Sequence, residues 1–520
     1  MNYDPPTPAE RVLARHRWIR CFVVLVVLAL AIYYLFFVNQ YVIAYRNDVD
    51  HFKYGSIGSE PNLGLPILVF KALPVLYQDR LGPTGYRRFG MLYDNDKSDL
   101  PIGMSRRYVG GVERVWFNCA ICHVGTYRLA LTDKPTFIYG APANNLRLYE
   151  LLKFFLTISA DPKFNADNLV AAIDSPTVGG DLNFVQRFIY RRFVFPAVQQ
   201  GLLELSRQFS FMAKADTPGY GPYFDWGPGR VDTFNPYKAI QFNFPMDARH
   251  IGETALNGSS DFPSIWEQHP RDGMHLHWDG NNTSVDERNL SAALGAGVTP
   301  VTVDIASIKR VRAWIWDLPP PPFPAPIGTD RDTVAEINRG RALFADYCAG
   351  CHGMKDASGQ YDYDTARYPH LGQVESWDRI GTDRGRLDSY TPNFAAAQNM
   401  LYAGYPWRFT HFRKTDGYAS QPLDGIWARS PYLHNGSVPT LRDLLEPAGN
   451  RPAKWYRGSD ILDIDKVGYR SDGYGSAPGD LFVYDTAVPG NSNRGHEGKD
   501  YGTELPAADK DAIVEYMKTL

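Results

Sequence analysis

Cysteine is scarce in this chain, with 5 residues in 520. So few thiols exclude the disulfide-dense framework that stabilises many small secreted domains. An excess of charge of either sign is also missing, because the formal net charge is -3 at pH 7. Without a basic patch, nucleic acid is not an expected partner. Long apolar runs are absent except at residues 21–38, so most of the chain is expected to form a soluble body.

Four of the cysteines form two pairs, and each pair is followed directly by a histidine. The spacing suits covalent haem attachment, because two thiols three positions apart can bond the two vinyl groups on one porphyrin edge. The adjacent imidazole then binds the iron as its proximal ligand. A redox dithiol and half of a zinc site are the alternatives, and the histidine after each pair counts against both. We therefore expect two covalently attached haem c groups, on Cys119-x-x-Cys122-His123 and Cys348-x-x-Cys351-His352.

The segment at residues 21–38 carries no charge and is long enough for a membrane-spanning helix. Arginines precede it, which predicts a cytoplasmic tail over residues 1–18 and an anchor over residues 19–40. The bulk of the chain would then lie in the periplasm, held at the inner (cytoplasmic) membrane by a single span. A cleaved signal peptide ending near Val42-x-Ala44 is the alternative, and the long apolar run favours an uncleaved anchor.

A proline-rich spacer at residues 317–328 divides the exported part. Such a spacer cannot continue a helix and is semi-rigid. It separates a haem domain over residues 46–316 from a cytochrome c domain over residues 329–520. Helical periodicity runs into the second haem motif and recurs at the C-terminus. The expected fold is mainly α with much irregular structure: two cytochrome c-like haem domains with long loop insertions, plus one N-terminal transmembrane helix.

The second ligand of each iron decides what such a protein does. A haem with two strong protein ligands carries electrons, whereas a haem with an open face can bind oxygen or peroxide. Outside the two motifs, the histidines of the exported part that are candidates for this position are His250, His269, His275, His277, His370, His411, His434 and His496.

His434 stands out because it lies in the loop Pro431-Tyr-Leu-His-Asn-Gly-Ser-Val-Pro-Thr-Leu441. A loop of this kind, late in a chain with two Cys-x-x-Cys-His motifs, resembles the bacterial dihaem cytochrome c peroxidase superfamily, and most closely its rubber-oxygenase-like branch. The resemblance extends from Tyr54 to the C-terminus. Four more stretches support it: residues 118–128, Gly227-Pro-Gly-Arg-Val-Asp-Thr233, His277-Trp-Asp-Gly-Asn-Asn282 and Asn493-Arg-Gly-His-Glu-Gly498.

The resemblance implies roles for particular positions. The C-terminal haem would be held by His352 and His434. The N-terminal haem on His123 would be the reactive one, with its far side free for a small ligand. Trp278 matches a tryptophan that lies between the two haems, where an indole packs against both porphyrins and shortens the electron path. An ordinary core tryptophan is the alternative for Trp278. Many relatives also hold a calcium ion between the haems, and this is left open here.

The sequence departs from the peroxidases where they carry a distal glutamate that helps to cleave peroxide. Asp286 and Glu287 lie too early in the chain for that role, and no further carboxylate follows until Asp304. Without an acid–base group, cleavage of the O–O bond loses a factor on the order of a hundred or more. This departure fits the oxygenase-like branch better. A membrane-tethered protein, however, is badly placed to reach an insoluble polymer such as rubber.

Three further side chains are candidates for contacts with the haems. Arg230, in the Gly-Pro-Gly-Arg loop, is expected to bind a haem propionate or to assist a distal ligand, with a surface arginine as an equal alternative. His275 and His277 lie beside the bridging tryptophan. Hydrogen bonds to propionates are expected from these two histidines in preference to metal binding.

Two functions from different classes remain. The first is a haem oxidoreductase, in which the His123 haem binds oxygen or peroxide and Trp278 couples it to the second haem. The second is a pure electron carrier between membrane complexes and periplasmic acceptors, with His250 or Met246 as the extra ligand. We favour the first. In either one, the expected partners are a periplasmic electron donor or acceptor protein and the membrane.

Overall fold

The computed structural model describes residues 7–34, 38, 40–213, 224–242, 258–475 and 481–520. Helices make up 43% of the structure and strands 13%. The expectation of a mainly helical fold is therefore confirmed only in part. Helices predominate, but short antiparallel pairs of strands recur along the chain. Much of the remainder is irregular, as expected for a sequence with 46 glycines and 38 prolines.

The α-helices of the described residues are α1 (Pro8–Tyr33), α2 (Asp48–Tyr54), α3 (Glu60–Leu63), α4 (Ile67–Leu76), α5 (Gln78–Leu81), α6 (Leu148–Ile158), α7 (Ala166–Ile173), α8 (Phe184–Ile189), α9 (Phe195–Gln208), α10 (Ser210–Ala213), α11 (Asn235–Phe242), α12 (Val285–Gly295), α13 (Ile305–Trp316), α14 (Arg331–Tyr347), α15 (Ala349–His352), α16 (Trp377–Ile380), α17 (Gly385–Ser389), α18 (Pro392–Leu401), α19 (Leu441–Leu444) and α20 (Ala507–Met517). A π-helical turn at Tyr190–Val194 joins α8 to α9.

The strands are β1 (Gln40–Val42), β2 (Leu65–Pro66), β3 (Met104–Val109), β4 (Val112–Phe117), β5 (Val124–Tyr127), β6 (Thr136–Tyr139), β7 (Arg230–Asp232), β8 (Ser259–Asp261), β9 (Met354–Lys355), β10 (Tyr361–Asp362), β11 (Val374–Ser376), β12 (Gly417–Ala419), β13 (Lys454–Arg457), β14 (Leu462–Asp463), β15 (Gly468–Tyr469) and β16 (Phe482–Asp485). The largest sheet among the described residues has four strands in the order β1-β3-β4-β2, and the others are two-stranded.

Helix α1 is the candidate for a membrane span within the described residues. Its segment Arg11–Tyr33 has a mean hydropathy of 1.8, and none of it is buried against the rest of the protein. This length and composition are sufficient to cross a bilayer, and a signal sequence would pass the same test. Strand β1 follows soon afterwards and pairs with β3, with Tyr41 opposite Tyr108. The chain therefore enters the folded body almost directly after the apolar helix.

The largest apolar core lies in the N-terminal half, where α4, α6, α7 and α9 pack around the four-stranded sheet. Helix α6 turns Leu151, Phe154 and Phe155 inward, one helical turn apart. Phe155 meets Trp116 of β4 with ring centroids 5.9 Å apart. Because β4 ends directly before the first Cys-x-x-Cys-His motif, this core forms a rigid support behind it.

In the C-terminal half, α14 crosses α20, and the two helices make a close contact at Gly340. A Cβ atom at this position would collide with the carbonyl oxygen of Ala512, so the crossing needs glycine. One turn later Phe344 packs on Tyr516, with ring centroids 5.2 Å apart. The predicted helix that runs into Cys348 is therefore present, and the C-terminal helix is locked against it.

The proline-rich spacer packs on its neighbours. Leu318 O accepts a hydrogen bond from Glu267 N (3.0 Å), and Pro321 O accepts one from the indole of Trp427 (2.8 Å). These bonds connect the spacer to residues on both of its sides in sequence. The domain boundary placed there remains a prediction.

Candidate haem sites

The first Cys-x-x-Cys-His motif is shaped by Asn118, which follows β4. Its side-chain oxygen accepts a hydrogen bond from Ala120 N (3.0 Å) and so caps the short helical turn Cys119–Ile121. Its amide nitrogen donates to the carbonyls of Phe52 (3.2 Å) and Gly55 (3.0 Å). The motif is thus held to the segment around α2 by a side chain that is itself buried.

His123 is oriented by one hydrogen bond. Its Nδ1 donates to the carbonyl of Pro263 (3.0 Å), which fixes the tautomer and leaves Nε2 with its lone pair. Metal-binding histidines are commonly oriented in this way by a carbonyl. Burial, with a contribution from the charge of Arg288, lowers the pKa of His123 to about 3. The imidazole is therefore neutral at physiological pH, which is the form that binds iron.

His123 faces a cavity of about 260 Å³ between the N-terminal core and the segments that carry β7, β8 and α12. Cys119 and Cys122 lie on its wall, and both thiols are free. Most of the remaining wall is apolar and includes Trp116, Phe117, Leu152, Phe234, Phe262 and Ile265. The polar side chains that line it include His277, Trp278, Asn281, Arg288 and Arg386.

Arg288 supplies a direct test of whether this cavity fits a haem. Its side chain is only 9% exposed, and among the described residues it has no hydrogen-bond or ion-pair partner. Burial, with a smaller effect from Arg271, lowers its pKa to about 10. An unpaired buried cation is costly unless an anion joins it. A haem propionate would supply that anion, so the thiols, the imidazole, the apolar walls and this cation together fit the group.

The second motif repeats the arrangement of the first. Helix α14 ends at Tyr347, and Cys348 caps the short helix α15 that carries the rest of the motif. His352 Nδ1 donates to the carbonyl of Gln421 (2.7 Å). As at His123, this bond leaves Nε2 as the nitrogen available to iron. Burial lowers the pKa of His352, which favours the neutral imidazole.

A second imidazole lies opposite His352, and it belongs to His496. The two ring centroids are 6.2 Å apart, with an angle of 44° between the planes. Each metal–nitrogen bond is about 2 Å and each ring centre lies about 1 Å further out, so two histidines on one iron should stand roughly 6 Å apart. Burial, with a contribution from His352, lowers the pKa of His496 to about 3. Its Nδ1 is buried and has no hydrogen-bond partner among the described residues.

The backbone around His496 is held tightly in place. The guanidinium of Arg451 donates to the carbonyls of Asn493 (2.5 Å), Gly495 (2.9 Å) and His496 (3.1 Å). His496 N donates to Ile380 O (2.7 Å). Gly495 has φ +80°, and a Cβ there would collide with the backbone at residues 381–382. His496 is one of the histidines that the sequence offers as a second iron ligand, and the family resemblance implies no role for it.

His434, the ligand suggested by the family resemblance, lies in a different environment. Its ring stacks on Tyr418 with centroids 4.0 Å apart, and its Nε2 is 3.0 Å from the Tyr418 hydroxyl. Its carbonyl accepts a hydrogen bond from Asp261 N (2.9 Å). The assignment of His434 as the second ligand of the His352 haem remains a prediction. The spacing between His352 and His496 makes His496 an alternative candidate for that position.

Trp278 borders the first site and is bonded through its backbone to the segment that supports the second. Its indole lines the cavity of the first site and donates to Asp261 O (2.8 Å). Its own carbonyl accepts a hydrogen bond from Ala419 N (2.8 Å). Ala419 ends β12, and Gln421, two residues later, holds His352. A short chain of bonded residues therefore connects the tryptophan with the support of each motif histidine.

The rest of the Trp-Asp-Gly motif fixes this position. Asp279 forms a buried ion pair with Arg386 (2.7 Å). Gly280 has φ +64°, and a Cβ there would collide with Val374. The acidic residue anchors the turn and the glycine lets it approach β11, so both are required by the packing around Trp278.

Arg230 does not line the cavity. It is fully buried, donates to Trp226 O (3.0 Å) and lies 4.0 Å from Asp261. Arg457 lies closer to the same carboxylate, at 2.7 Å. Burial raises the pKa of Asp261 to about 6 in spite of the two cations. The predicted contact of Arg230 with a propionate remains a prediction.

The other candidates are placed as follows. His275 does not line the cavity, and its Nδ1 donates to Gly280 O (2.9 Å). Glu287 accepts hydrogen bonds from Thr410 N (2.8 Å) and His411 N (3.0 Å), so its carboxylate is occupied. His250 and Met246 lie outside the described residues. Within the part of the chain that the structure covers, no group of three or more His, Cys, Asp or Glu side chains forms a metal site.

Comparison with known proteins adds two results to this geometry. Residues 417–456, which contain β12 and the His434 loop, match the RoxA-like, cytochrome c-like family. The chain is also 32% identical over 323 residues to the uncharacterized protein y4iM of Sinorhizobium fredii, which covers 52% of this chain and 69% of that protein. The chain belongs to the family of y4iM.

A second protein of Sinorhizobium fredii, the uncharacterized protein y4iJ, is 26% identical over 530 residues. The match covers 83% of this chain and 84% of y4iJ. The RoxA-like match supports the predicted relation to the rubber-oxygenase-like cytochromes, and a cytochrome c-like domain implies covalently bound haem c. The wider dihaem peroxidase superfamily is not confirmed.

Proposed function

We propose that this chain is a membrane-anchored, exported cytochrome with two haem c groups that acts as an oxidoreductase. His123 would hold the haem that reacts with oxygen or peroxide, and His352 would hold the haem that transfers electrons. A periplasmic redox protein exchanges electrons with the second haem. The apolar helix α1 holds the protein at the inner membrane, with the bulk of the chain in the periplasm.

The observation that carries this proposal is the difference between the two motif histidines. His352 has the imidazole of His496 at the spacing of two ligands on one iron. His123 has no aromatic or imidazole ring in contact with its own ring among the described residues, and a cavity lies in front of it. A haem with two strong ligands transfers electrons, while a haem with space on one side admits a small molecule. The two sites are thus suited to different tasks.

In this proposal the second haem is bound by His352 and His496. His434 then supports Tyr418 and the strand β8 instead of binding iron, which agrees with its hydrogen bonds to both. The haem, when bound, supplies the redox-active iron. The chain supplies orientation: the Pro263 and Gln421 carbonyls hold the two proximal imidazoles, and the apolar walls exclude water from the first site.

Trp278 couples the two haems. Its indole borders the first cavity, and its backbone is bonded to the strand that supports His352. Asp261 O fixes the indole nitrogen at 2.8 Å, so the ring has one orientation. A fixed aromatic ring between two cofactors shortens the distance that an electron must cross. Trp278 would then be a catalytic residue in contact with the first haem.

The experiment uses the full chain, loaded with haem and purified in detergent. After reduction, hydrogen peroxide or oxygen is added and oxidation of the second haem is followed by its absorbance. The Trp278→Phe variant keeps the apolar packing but loses the indole, so oxidation of the second haem should slow while the first haem still reacts. Trp427→Phe is the matched control, because it also removes a buried indole with one 2.8 Å bond to a carbonyl.

Two results would count against the proposal. If neither oxidant oxidises the reduced protein, the chain is an electron carrier and not an oxidoreductase. If Trp278→Phe and Trp427→Phe oxidise at the same rate as the unchanged protein, electrons pass between the haems by another route.

A further inference from the structure

We propose that His277 is the proton-transfer residue on the open side of the first haem. It is kept in its base form by Asn281 and assisted by the positive charge of Arg288, and the substrate is hydrogen peroxide. This inference rests on the proposed function, since it names the substrate class and a further catalytic residue of the same site. His277 would also take the acid–base role of the distal glutamate in the peroxidases, for which this sequence has no matching carboxylate.

The side chain of His277 is fixed at one nitrogen and free at the other. Its Nδ1 lies 2.6 Å from the side-chain oxygen of Asn281, an acceptor, so Nδ1 carries the hydrogen. The ring lines the cavity, and Nε2 has no hydrogen-bond partner among the described residues. Nε2 therefore offers its lone pair to the cavity. Asn281 is itself held in place, because its backbone carbonyl accepts a hydrogen bond from Arg413 N (2.9 Å).

The surroundings keep His277 uncharged. Its ring is open to the cavity but shielded from bulk water, and this desolvation, aided by the charges of Arg288 and Arg386, lowers its pKa to about 3. A general base must be unprotonated to accept a proton. His277 also has φ +62°, an unusual conformation for a residue with a side chain. The bridge between Leu276 and Asn282 holds the turn in this shape.

Among the residues that the structure describes, no other group on the cavity wall is free to serve as the base. Asp232 accepts hydrogen bonds from the backbone of Phe234 and Asn235, both at 3.2 Å. Asp261 is paired with Arg457. The remaining imidazole of the wall, His123, is the proximal ligand.

His277 and His123 line the same cavity, and their rings are not in contact. The two rings are not among the ring pairs in contact within the described residues, whereas His352 and His496 are, at 6.2 Å. A base needs more distance from the iron than a ligand does, because a substrate oxygen must fit between them. In this proposal the substrate occupies the cavity that both residues line, with His123 as the proximal ligand and His277 as the distal base.

The chemistry balances as a reduction of peroxide. Hydrogen peroxide takes up two electrons and two protons and gives two molecules of water. Nε2 of His277 takes the proton from one peroxide oxygen and delivers it to the other, which leaves as water when the O–O bond breaks. Solvent supplies the two protons that complete the second water. The electrons come from a one-electron donor protein, by way of the second haem and Trp278.

Arg288 stabilises the negative charge that develops on the leaving oxygen. Its positive charge lowers the pKa of both His123 and His277, and it lines the same cavity as these two residues. Preorganised cations in a site shielded from water are more effective than the same charge in solvent. A guanidinium has five N–H donors, so Arg288 would still have N–H groups free to donate if a haem propionate bound to it.

The test compares His277→Ala with His275→Ala in the full, haem-loaded chain. His275 is the same residue type two positions away, but it does not line the cavity. Three quantities are measured: the rate constant for reaction with hydrogen peroxide, the rate constant for cyanide binding and the spin state by electron paramagnetic resonance. Cyanide is informative because hydrogen cyanide must lose a proton as it binds, whether or not the protein turns over a substrate.

For His277→Ala we expect both rate constants to fall by a factor on the order of 10² to 10⁴, the usual contribution of a general base. The spin state of the first haem should not change, and His275→Ala should behave like the unchanged protein. Asn281→Leu is the second variant. It keeps the imidazole but removes the acceptor for Nδ1, so both rate constants should fall by a smaller factor.

Two outcomes would overturn the inference and leave the proposed function intact. The first is a protein that reacts with peroxide equally fast with and without His277. The second is a first haem that is low-spin in the unchanged protein and becomes high-spin in His277→Ala, because His277 would then be an iron ligand. If the unchanged protein neither reacts with peroxide nor binds cyanide, the proposed function itself has failed.

Discussion

Replacing His496 by alanine is expected to convert the second haem from a low-spin centre with two histidine ligands into a high-spin centre that binds carbon monoxide. The reason is the 6.2 Å spacing between the rings of His352 and His496. Removing one imidazole leaves the iron with a single strong protein ligand, which opens a face to small molecules. The absorbance and electron paramagnetic resonance spectra of the oxidised protein report the change directly.

His434→Ala is the matched control for this prediction. It removes a buried imidazole that is stacked on Tyr418 but has no contact with His352 among the described residues. We expect the second haem to remain low-spin in this variant, with a less stable fold around Tyr418. The reverse pattern, in which His434→Ala opens the haem and His496→Ala does not, would contradict the assignment and restore His434 as the ligand.

Serine at both cysteines of one motif should lower the haem content of the protein from two groups per chain to one. Each thioether bond needs its own thiol, and all four motif thiols are free for this reaction. We expect one haem per chain for the pair Cys119→Ser and Cys122→Ser, and the same for the pair Cys348→Ser and Cys351→Ser. Haem content is measured by the absorbance of the pyridine complex and by the mass of the intact chain.

Cys21→Ser serves as the control for the haem count. Cys21 lies in the exposed apolar helix α1, far in sequence from both motifs. This variant should retain two haems. A single haem in the unchanged protein, or two haems in either double variant, would contradict the prediction of two independent attachment sites.

The haem motifs were predictable from sequence because covalent attachment is local. Two thiols and an imidazole within five residues are sufficient to indicate the chemistry. The apolar helix was predictable for the same reason, since hydropathy depends only on neighbouring residues. In the structure this helix is α1, Pro8–Tyr33, which begins before the predicted anchor over residues 19–40 and ends within it.

The proximity of His496 to His352 was not predictable in this way. The two rings lie close together because Arg451 binds three carbonyls around His496 and Gly495 packs against residues 381–382. Neither contact leaves a periodic pattern in the sequence. The family resemblance of its loop made His434 the expected ligand, but packing explains the loop equally well. The carbonyl of His434 is bonded to Asp261 N, and the ring of His434 stacks on Tyr418.

The strand content was underestimated for a similar reason. Pairs such as β9 with β10 and β14 with β15 contain only two residues in each strand, too few to show the alternation that identifies a strand. His277 illustrates the same limit at the first site. Its neighbour Asn281 is visible in the sequence, but only the folded turn brings their side chains to 2.6 Å and aims the ring at the cavity.

The most direct test of the whole account is the spin state of the two irons in the purified full chain. Electron paramagnetic resonance of the oxidised protein and carbon monoxide binding to the reduced protein would be measured together. The account predicts one high-spin haem that binds carbon monoxide and one low-spin haem that does not. Two low-spin haems with no response to carbon monoxide would contradict it and identify the protein as an electron carrier.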